Sequence, residues 1–255
     1  LAGISGPLIA DVLSGQASLN YYTYGGEYRN HTNTSSNGQM LGQEKTSGGT
    51  LALRYTPTAD LWFTLRGSYA ENDDGHEPMA MQRSSANNCY MNRPTQYYCG
   101  AIKVTPEMVG LNLEDIDGGG VSRETSRLSL TGEYDRNGYT FTSITGYNNS
   151  SEHRKSDQDY QPTRLLGGSL HVDDQIEIES LSQEFRVASP KDGRMHWLAG
   201  VSHFGADTWT GRYRYLTKVL QDNGTITTTN LAAFGLVGFV FTDRLSGTAE
   251  IRVAE

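Results

Sequence analysis

The chain has 255 residues, a formal net charge of -8, a mean hydropathy of -0.54 and 36% hydrophobic residues. The acidic balance argues against nucleic acid as a partner. No stretch is apolar enough for a transmembrane helix, but a membrane barrel needs only every second strand residue to be apolar.

In chain order, Ser5-Gly6-Pro7-Leu8 reads as a first turn, and a strand pair is expected at about 14–29 and 46–56, with a polar loop over 31–44. In the second strand Leu51, Leu53 and Tyr55 alternate with Thr50, Ala52 and Arg54, a period of two. After the tight join Thr56-Pro57-Thr58-Ala59-Asp60, a strand over 61–72 puts Phe63, Leu65, Gly67 and Tyr69 opposite Trp62, Thr64, Arg66 and Ser68. An irregular stretch at about 73–123 follows. It is too long for the interior of a compact soluble domain and ordinary for the outer loops of a large barrel.

Strands resume at 126–134 and, after Asp135-Arg136-Asn137-Gly138, at 139–148. Ile144 is out of phase there, which fits a bulge or a lumen-facing apolar residue. A loop at 157–174 leads to a strand over 175–188, the Ser189–Gly193 turn, and a strand over 195–209 in which Leu198, Gly200, Ser202 and Phe204 share a face. A third loop is expected at 212–228, turning at Asn223-Gly224. Strands at 229–241 and 245–253 follow, joined by Thr242-Asp243-Arg244. Tight joins alternate with long polar ones across roughly ten strands, the pattern of an up-and-down barrel wall. In lipid such a sheet has to close, so further strands are expected at one or both ends.

Several motifs, in order, resemble TonB-dependent receptors. Ser182-Gln183-Glu184-Phe185-Arg186-Val187-Ala188-Ser189-Pro190 is followed by Trp197-Leu198-Ala199-Gly200. Thr142-Ser143-Ile144-Thr145-Gly146-Tyr147, the Ala233-Phe234-Gly235 and Thr242-Asp243-Arg244-Leu245 hairpin, Ile4–Leu8 and Leu53–Pro57 resemble other pieces of the same wall. The resemblance implies an all-β, antiparallel up-and-down transmembrane β-barrel of about 22 strands, of which residues 1–255 are part of one barrel domain. It also implies a Gram-negative outer membrane, contact with outer-membrane lipid, and uptake of a scarce ligand, above all a ferric siderophore, driven by TonB-ExbB-ExbD. A plug, a TonB box and a final strand with a terminal aromatic are not recognisable, and the chain is expected to be the first half or so of the wall. The rival readings are a passive porin-like channel and a soluble β-rich binding protein.

Cys89 and Cys99 lie in one polar loop and read as a disulfide of an oxidising compartment; as metal ligands they lack a close histidine, His76 being the nearest. Beside them Tyr90, Arg93, Tyr97 and Tyr98 are candidate ligand contacts, because aromatic and Arg side chains favour recognition; loop packing is the alternative. Arg54, Arg66, Arg127, Glu133, Glu184, Arg186, Glu250 and Arg252 recur on one face as candidate lumenal contacts to a plug, or as residues that keep the wall wet. His196 and His203 are expected on opposite faces. Asp173-Asp174 and the run Glu71–Asp74 lack EF-hand spacing, and Gly118-Gly119-Gly120 lacks a phosphate-loop context. No catalytic constellation, metal site or cofactor is expected.

Overall fold

The computed structural model describes residues 1–80, 84–92, 95–161, 171–190, 192–214 and 219–255. Ten strands form one antiparallel sheet: β1 (Ala2–Ile9), β2 (Leu13–Tyr24), β5 (Glu44–Thr58), β6 (Leu61–Asp74), β9 (Gly120–Arg136), β10 (Tyr139–Asp157), β11 (His171–Ala188), β12 (Met195–Arg214), β13 (Val219–Thr242) and β14 (Leu245–Ala254). Two small hairpins sit in the long connections. One pairs β3 (Tyr28–Arg29) with β4 (Met40–Leu41), the other β7 (Cys89–Asn92) with β8 (Thr95–Tyr97). Each wall strand pairs with the wall strand before and after it, without crossovers, so the expected up-and-down wall is the observed one. Asn137 and Gly138 both have positive φ, 52° and 80°, which suits a two-residue hairpin between right-twisted strands.

Several boundaries differ from the sequence reading: β2 ends at Tyr24 instead of 29, β9 begins at Gly120 instead of 126, β10 runs to Asp157 instead of 148, and β11 begins at His171 instead of 175. Two further differences change the kind of element. Ser5–Leu8 is no turn: Ser5, Gly6 and Pro7 pair with Gln16, Gly15 and Ser14, and the chain reverses at Ala10–Val12, with Asp11 at φ 60°. Pro7 stands at a register shift between Pro7 and Ile9, an irregularity of the ladder of the kind that tolerates a missing N–H donor. The segment 212–228 is largely strand, since β12 runs to Arg214 and β13 starts at Val219. Its Thr- and Ile-rich run over 225–229 favours extended pairing. Gly224, at φ 89°, lies within β13, close to a register shift between Trp209 and Gly211 of β12. Asp222 holds this irregularity, accepting hydrogen bonds from the Trp209 indole at 2.8 Å and the Gly224 N–H at 2.7 Å.

The register separates two faces. Tyr55, Phe63, Gly132, Ser143, Phe185, Val201, Ala233 and Val253 form one continuous row across the sheet. The next row contains Leu53, Leu65, Leu130, Thr145, Gln183, His203 and Leu231. This mostly apolar face is open: Leu128 is 50% and Phe185 53% accessible. It runs along β12 from Met195 to about Gly205. At ~3.3 Å per residue and a tilt of ~40°, that is a band ~25 Å tall. The Tyr139 and Trp197 rings meet at an interplanar angle of 58°, centroids 6.2 Å apart, near its short-turn edge, and Tyr69 and Tyr147 mark its long-loop edge. Beyond that edge the same face turns acidic, with Glu71, Glu124 and Glu177 in one row.

The opposite face is mostly polar. Ile144 belongs to it without a bulge, since the β9–β10 and β10–β11 registers are continuous past it. Leu198, Gly200, Ser202 and Phe204 share this face as well, in register with Ala188, Arg186, Glu184 and Ser182. Phe234 covers Gly200, where an added Cβ would stand 2.4 Å from the ring. The division into apolar and polar faces is therefore less clean than composition implies around β12 and β13.

A single-layer wall has no interior of its own, and the buried apolar cluster among the described residues lies in the loops. Leu41, Val109, Leu111, Leu113 and Ile116 are each at most 2% accessible, with Tyr28 and Tyr160 packed against them.

Candidate functional site

The long connections form a cap on one end of the wall. Asn30 is fully buried and braces it like a strand pair: its side-chain oxygen accepts the Leu111 N–H at 2.8 Å, and its amide nitrogen donates to the Leu111 carbonyl at 2.9 Å and the Ser36 carbonyl at 3.2 Å. A peptide group at the centre of a small apolar cluster is costly to leave unpaired, and Asn30 satisfies both of its polar atoms.

A second brace joins the cap to the strand ends. His76 Nδ1 donates to the Glu77 carbonyl at 2.8 Å, and its Nε2 accepts the Asp157 N–H at 3.0 Å. A backbone N–H only donates, so Nε2 carries no proton and the imidazole is neutral. Burial is the largest cause holding its pKa below the usual value. The Asp157 carboxylate accepts the N–H groups of Asn112 (3.1 Å) and Asp159 (3.2 Å), and lies 3.9 Å from His171 Nε2. Burial pushes its carboxyl up to about 6. The run Gly118–Gly120 folds against this brace. All three glycines have positive φ, and a Cβ on Gly119 would stand 2.8 Å from the His76 ring. These residues form the return of the loop into β9.

A disulfide joins Cys89 to Cys99, with a Cα–Cα distance of 5.7 Å, across the β7–β8 hairpin. Tyr97 pairs with Cys89 and Tyr90 with Gln96, so Tyr90 and Tyr97 leave the hairpin on opposite sides. Both are exposed, at 62% and 42%. The Tyr98 hydroxyl bonds the Ala101 carbonyl at 3.2 Å, tying that ring into its own loop. Arg93 lies outside the described residues.

All eight charged candidates on the wall share the polar face. Arg54 lies 4.4 Å over the Trp62 ring, a cation–π placement. Arg66 and Arg127 line one shallow concavity with Ser68, Ser129, Asn148 and Ser180, and Arg127 donates to Asn148 at 3.2 Å. Glu133, Thr142, Arg186 and Gly200 stand in one row, and Arg186 is 3.6 Å from Glu184. Glu250 and Arg252 pair with Leu236 and Phe234 on this face. Nearer the cap, Arg212 grips Asp174 with two bonds of 2.6 and 3.0 Å, and Arg123 pairs with Glu152. His196 and His203 fall on opposite faces, as strand geometry requires. Among the described residues no three metal-ligating side chains converge.

Sequence reasoning missed the cap core and its polar braces. The one local trace was the spacing of Val109, Leu111, Leu113 and Ile116, four apolar residues in a segment read as irregular loop.

This architecture is a ten-stranded antiparallel up-and-down wall with an apolar band on one face, a mostly polar opposite face and packed loops at one end. No family model and no curated protein matches the chain. Solved structures do. The ferric yersiniabactin uptake receptor FyuA of Yersinia pestis aligns over 99% of this chain and 40% of its own, at 16% identity and a TM-score of 0.67. The ferripyoverdine receptor of the Pseudomonas aeruginosa outer membrane, bound to ferripyoverdine, aligns over 99% of this chain and 34% of its own, at 16% identity and 0.69. The siderophore receptor PirA of Acinetobacter baumannii aligns over 99% and 35%, at 14% and 0.63. At these identities the likeness establishes the fold, and the chain spans about a third to two-fifths of each of these proteins.

Proposed function

We propose that this chain is the wall segment and outer-loop cap of a Gram-negative outer-membrane receptor that takes up a scarce ligand, a ferric siderophore before others, using energy from TonB-ExbB-ExbD. The observation that carries this reading is the ten-strand register, which stacks an apolar band ~25 Å tall on one face and eight charged side chains on the other. A soluble sheet with so open an apolar face would aggregate. The three solved receptors described above handle or are named for siderophores, which supports the ligand class.

In this reading the cap presents the ligand surface. The ligand contacts are Tyr90, Arg93, Tyr97 and Tyr98 beside the Cys89–Cys99 disulfide; Tyr90 and Tyr97 leave the hairpin on opposite sides, so they meet different parts of the ligand surface. The lumenal charges Arg54, Arg66, Arg127, Glu133, Glu184, Arg186, Glu250 and Arg252 contact a domain inside the barrel. The residues 1–255 then belong to one barrel domain.

The test is deletion of the locus encoding the protein, followed by growth on iron supplied as single ferric siderophores, with and without a functional tonB gene. Loss of growth on one siderophore that also needs TonB supports the receptor. TonB-independent permeation of small solutes assigns the wall to a passive channel instead. Substituting Tyr90 and Tyr97 with Ala then reads out the hairpin: unchanged ligand affinity removes it from the ligand site.

A further inference from the structure

Acidic and basic side chains are not mixed evenly over the polar face. Two neighbouring rows cross the wall at the level of Arg66 and Arg127. One runs from Gln16 through Ala52, Arg66 and Ser129 to Asn230, the other from Ser18 through Thr50, Ser68 and Arg127 to Thr228. Among the described residues neither row contains an Asp or a Glu. Carboxylates return on this face toward the cap, at Glu152 and Asp174, and toward the short turns, at Glu133 and Glu184. Three of these have an arginine of their own: Glu152 has Arg123, Asp174 has Arg212 and Glu184 has Arg186.

Arg54, Arg66 and Arg127 belong to no such pair among the described residues, and all three are exposed. They step diagonally across adjacent strands. Arg54 is opposite Thr64, two residues from Arg66, and Arg66 is opposite Ser129, two residues from Arg127. Diagonal neighbours have Cβ atoms roughly 7–8 Å apart, close enough for two guanidinium groups to meet around one anion. Arg66 and Arg127 share a concavity of about 380 Å³ with Ser68, Ser129, Asn148 and Ser180. Arg127 Nε donates to Asn148 Oδ1 at 3.2 Å. That bond occupies the amide oxygen and leaves the Asn148 N–H groups, the remaining guanidinium N–H groups and the hydroxyls as donors. A surface of cations and donors with no carboxylate of its own is the kind of lining that selects anions.

We propose that Arg66 and Arg127, with Arg54 next on the diagonal, form a carboxylate-binding site on the lumenal wall. The proposal rests on the receptor reading above and deepens it, because it separates these three arginines from the charges that the wall neutralises by itself. The carboxylates come either from an acidic ligand in passage or from a domain inside the barrel, and the two sources give different results in one experiment.

The complete protein in detergent is titrated by calorimetry with propane-1,2,3-tricarboxylate, and with the uncharged triamide of the same skeleton as control. The double variant Arg66→Gln, Arg127→Gln is compared with the unmodified protein and with Arg244→Gln, which removes a cation from a short turn instead. The expected result is tricarboxylate binding that the double variant weakens about ten-fold or more, the loss of one or two charged hydrogen bonds. Arg244→Gln binds as the unmodified protein does, and the triamide does not bind. This outcome makes the site one for an acidic ligand. Where an interior domain already fills the site, the unmodified protein ignores the tricarboxylate and the double variant exposes that domain to protease; the site then stands, with the domain as its source. Absence of both effects overturns it, as does equal tricarboxylate binding by all three proteins. Arg66→Gln alone carries the comparison should the double variant fail to fold. The growth test above separates the two readings: TonB-independent permeation with tricarboxylate binding intact removes the receptor and leaves the site.

Discussion

His76 Nε2 accepts the backbone N–H of Asp157, 81 residues away in sequence, at 3.0 Å. This bond ties the β6–β9 loop to the end of β10, beyond the apolar band, and it makes the cap respond to acid in two opposed ways.

The folded-state pKa of His76 lies below 6.5, so its contribution to cap stability is complete above 6.5 and is lost as pH falls. The carboxyl of Asp157 is raised from 3.8 to about 6, so its contribution is complete below 3.8 and is lost as pH rises through 6. The two slopes oppose each other between these limits. Hydrogen exchange of the amides at 109–116 reads them separately. In His76→Gln, protection increases as pH falls through 6. In Asp157→Asn, protection decreases as pH falls below 6.5. The unmodified cap changes less than either variant; a His76→Gln profile with the same slope as the unmodified protein refutes the assignment.

Asn30→Ala leaves the Leu111 N–H and carbonyl buried without their side-chain partner. The expected loss is about 2 kcal/mol of local stability, seen as faster proteolysis within the loops while the wall keeps its resistance. Leu111→Ala acts on the same cluster by opening a cavity, and is expected to cost about 3 kcal/mol.

Gly120 enters β9 at φ 121°, and a Cβ there would stand 2.0 Å from the Asp74 carbonyl oxygen. Gly120→Ala is therefore expected to displace the end of β6 or the start of β9, at about 2 kcal/mol or more. Cysteine cross-linking between Asn72 and Arg123, a register pair, measures the displacement: undiminished cross-linking in the variant counts against it.

Leu130 and Thr131 are neighbours on β9 that point to opposite faces. Leu130→Arg puts a cation on the apolar band and is expected to cost about 1–4 kcal/mol in lipid, whereas Thr131→Arg, on the polar face, is expected to be near neutral. Heat-modifiable mobility of membrane-extracted protein compares the two. Equal damage from both substitutions rejects the face assignment.

Legibility followed the range of the interactions. Phe63, Leu65, Gly67 and Tyr69 were readable as one face because side chains alternate every two residues whatever the partner strand. The placement of Ile144 was not, because a bulge and a lumenal side chain give the same local pattern and only continuous pairing on both sides separates them. Likewise the shared face of Leu198 and Phe204 was readable, but only register with Ala188 and Ser182 put it on the polar side of the wall. The disulfide hairpin was visible from Cys89 and Cys99, but the divergence of Tyr90 and Tyr97 depends on which residues pair across it.

By itself the sequence determined the number of wall strands, their alternation and the positions of most tight turns, because period-two patterning and turn chemistry are local. Only the tertiary structure decided the cap. Asn30 meets Leu111, and His76 meets Asp157, each across 81 residues. No local period encodes such contacts; they exist because the wall first brings the long loops to one end, where their few apolar residues have one another to bury against.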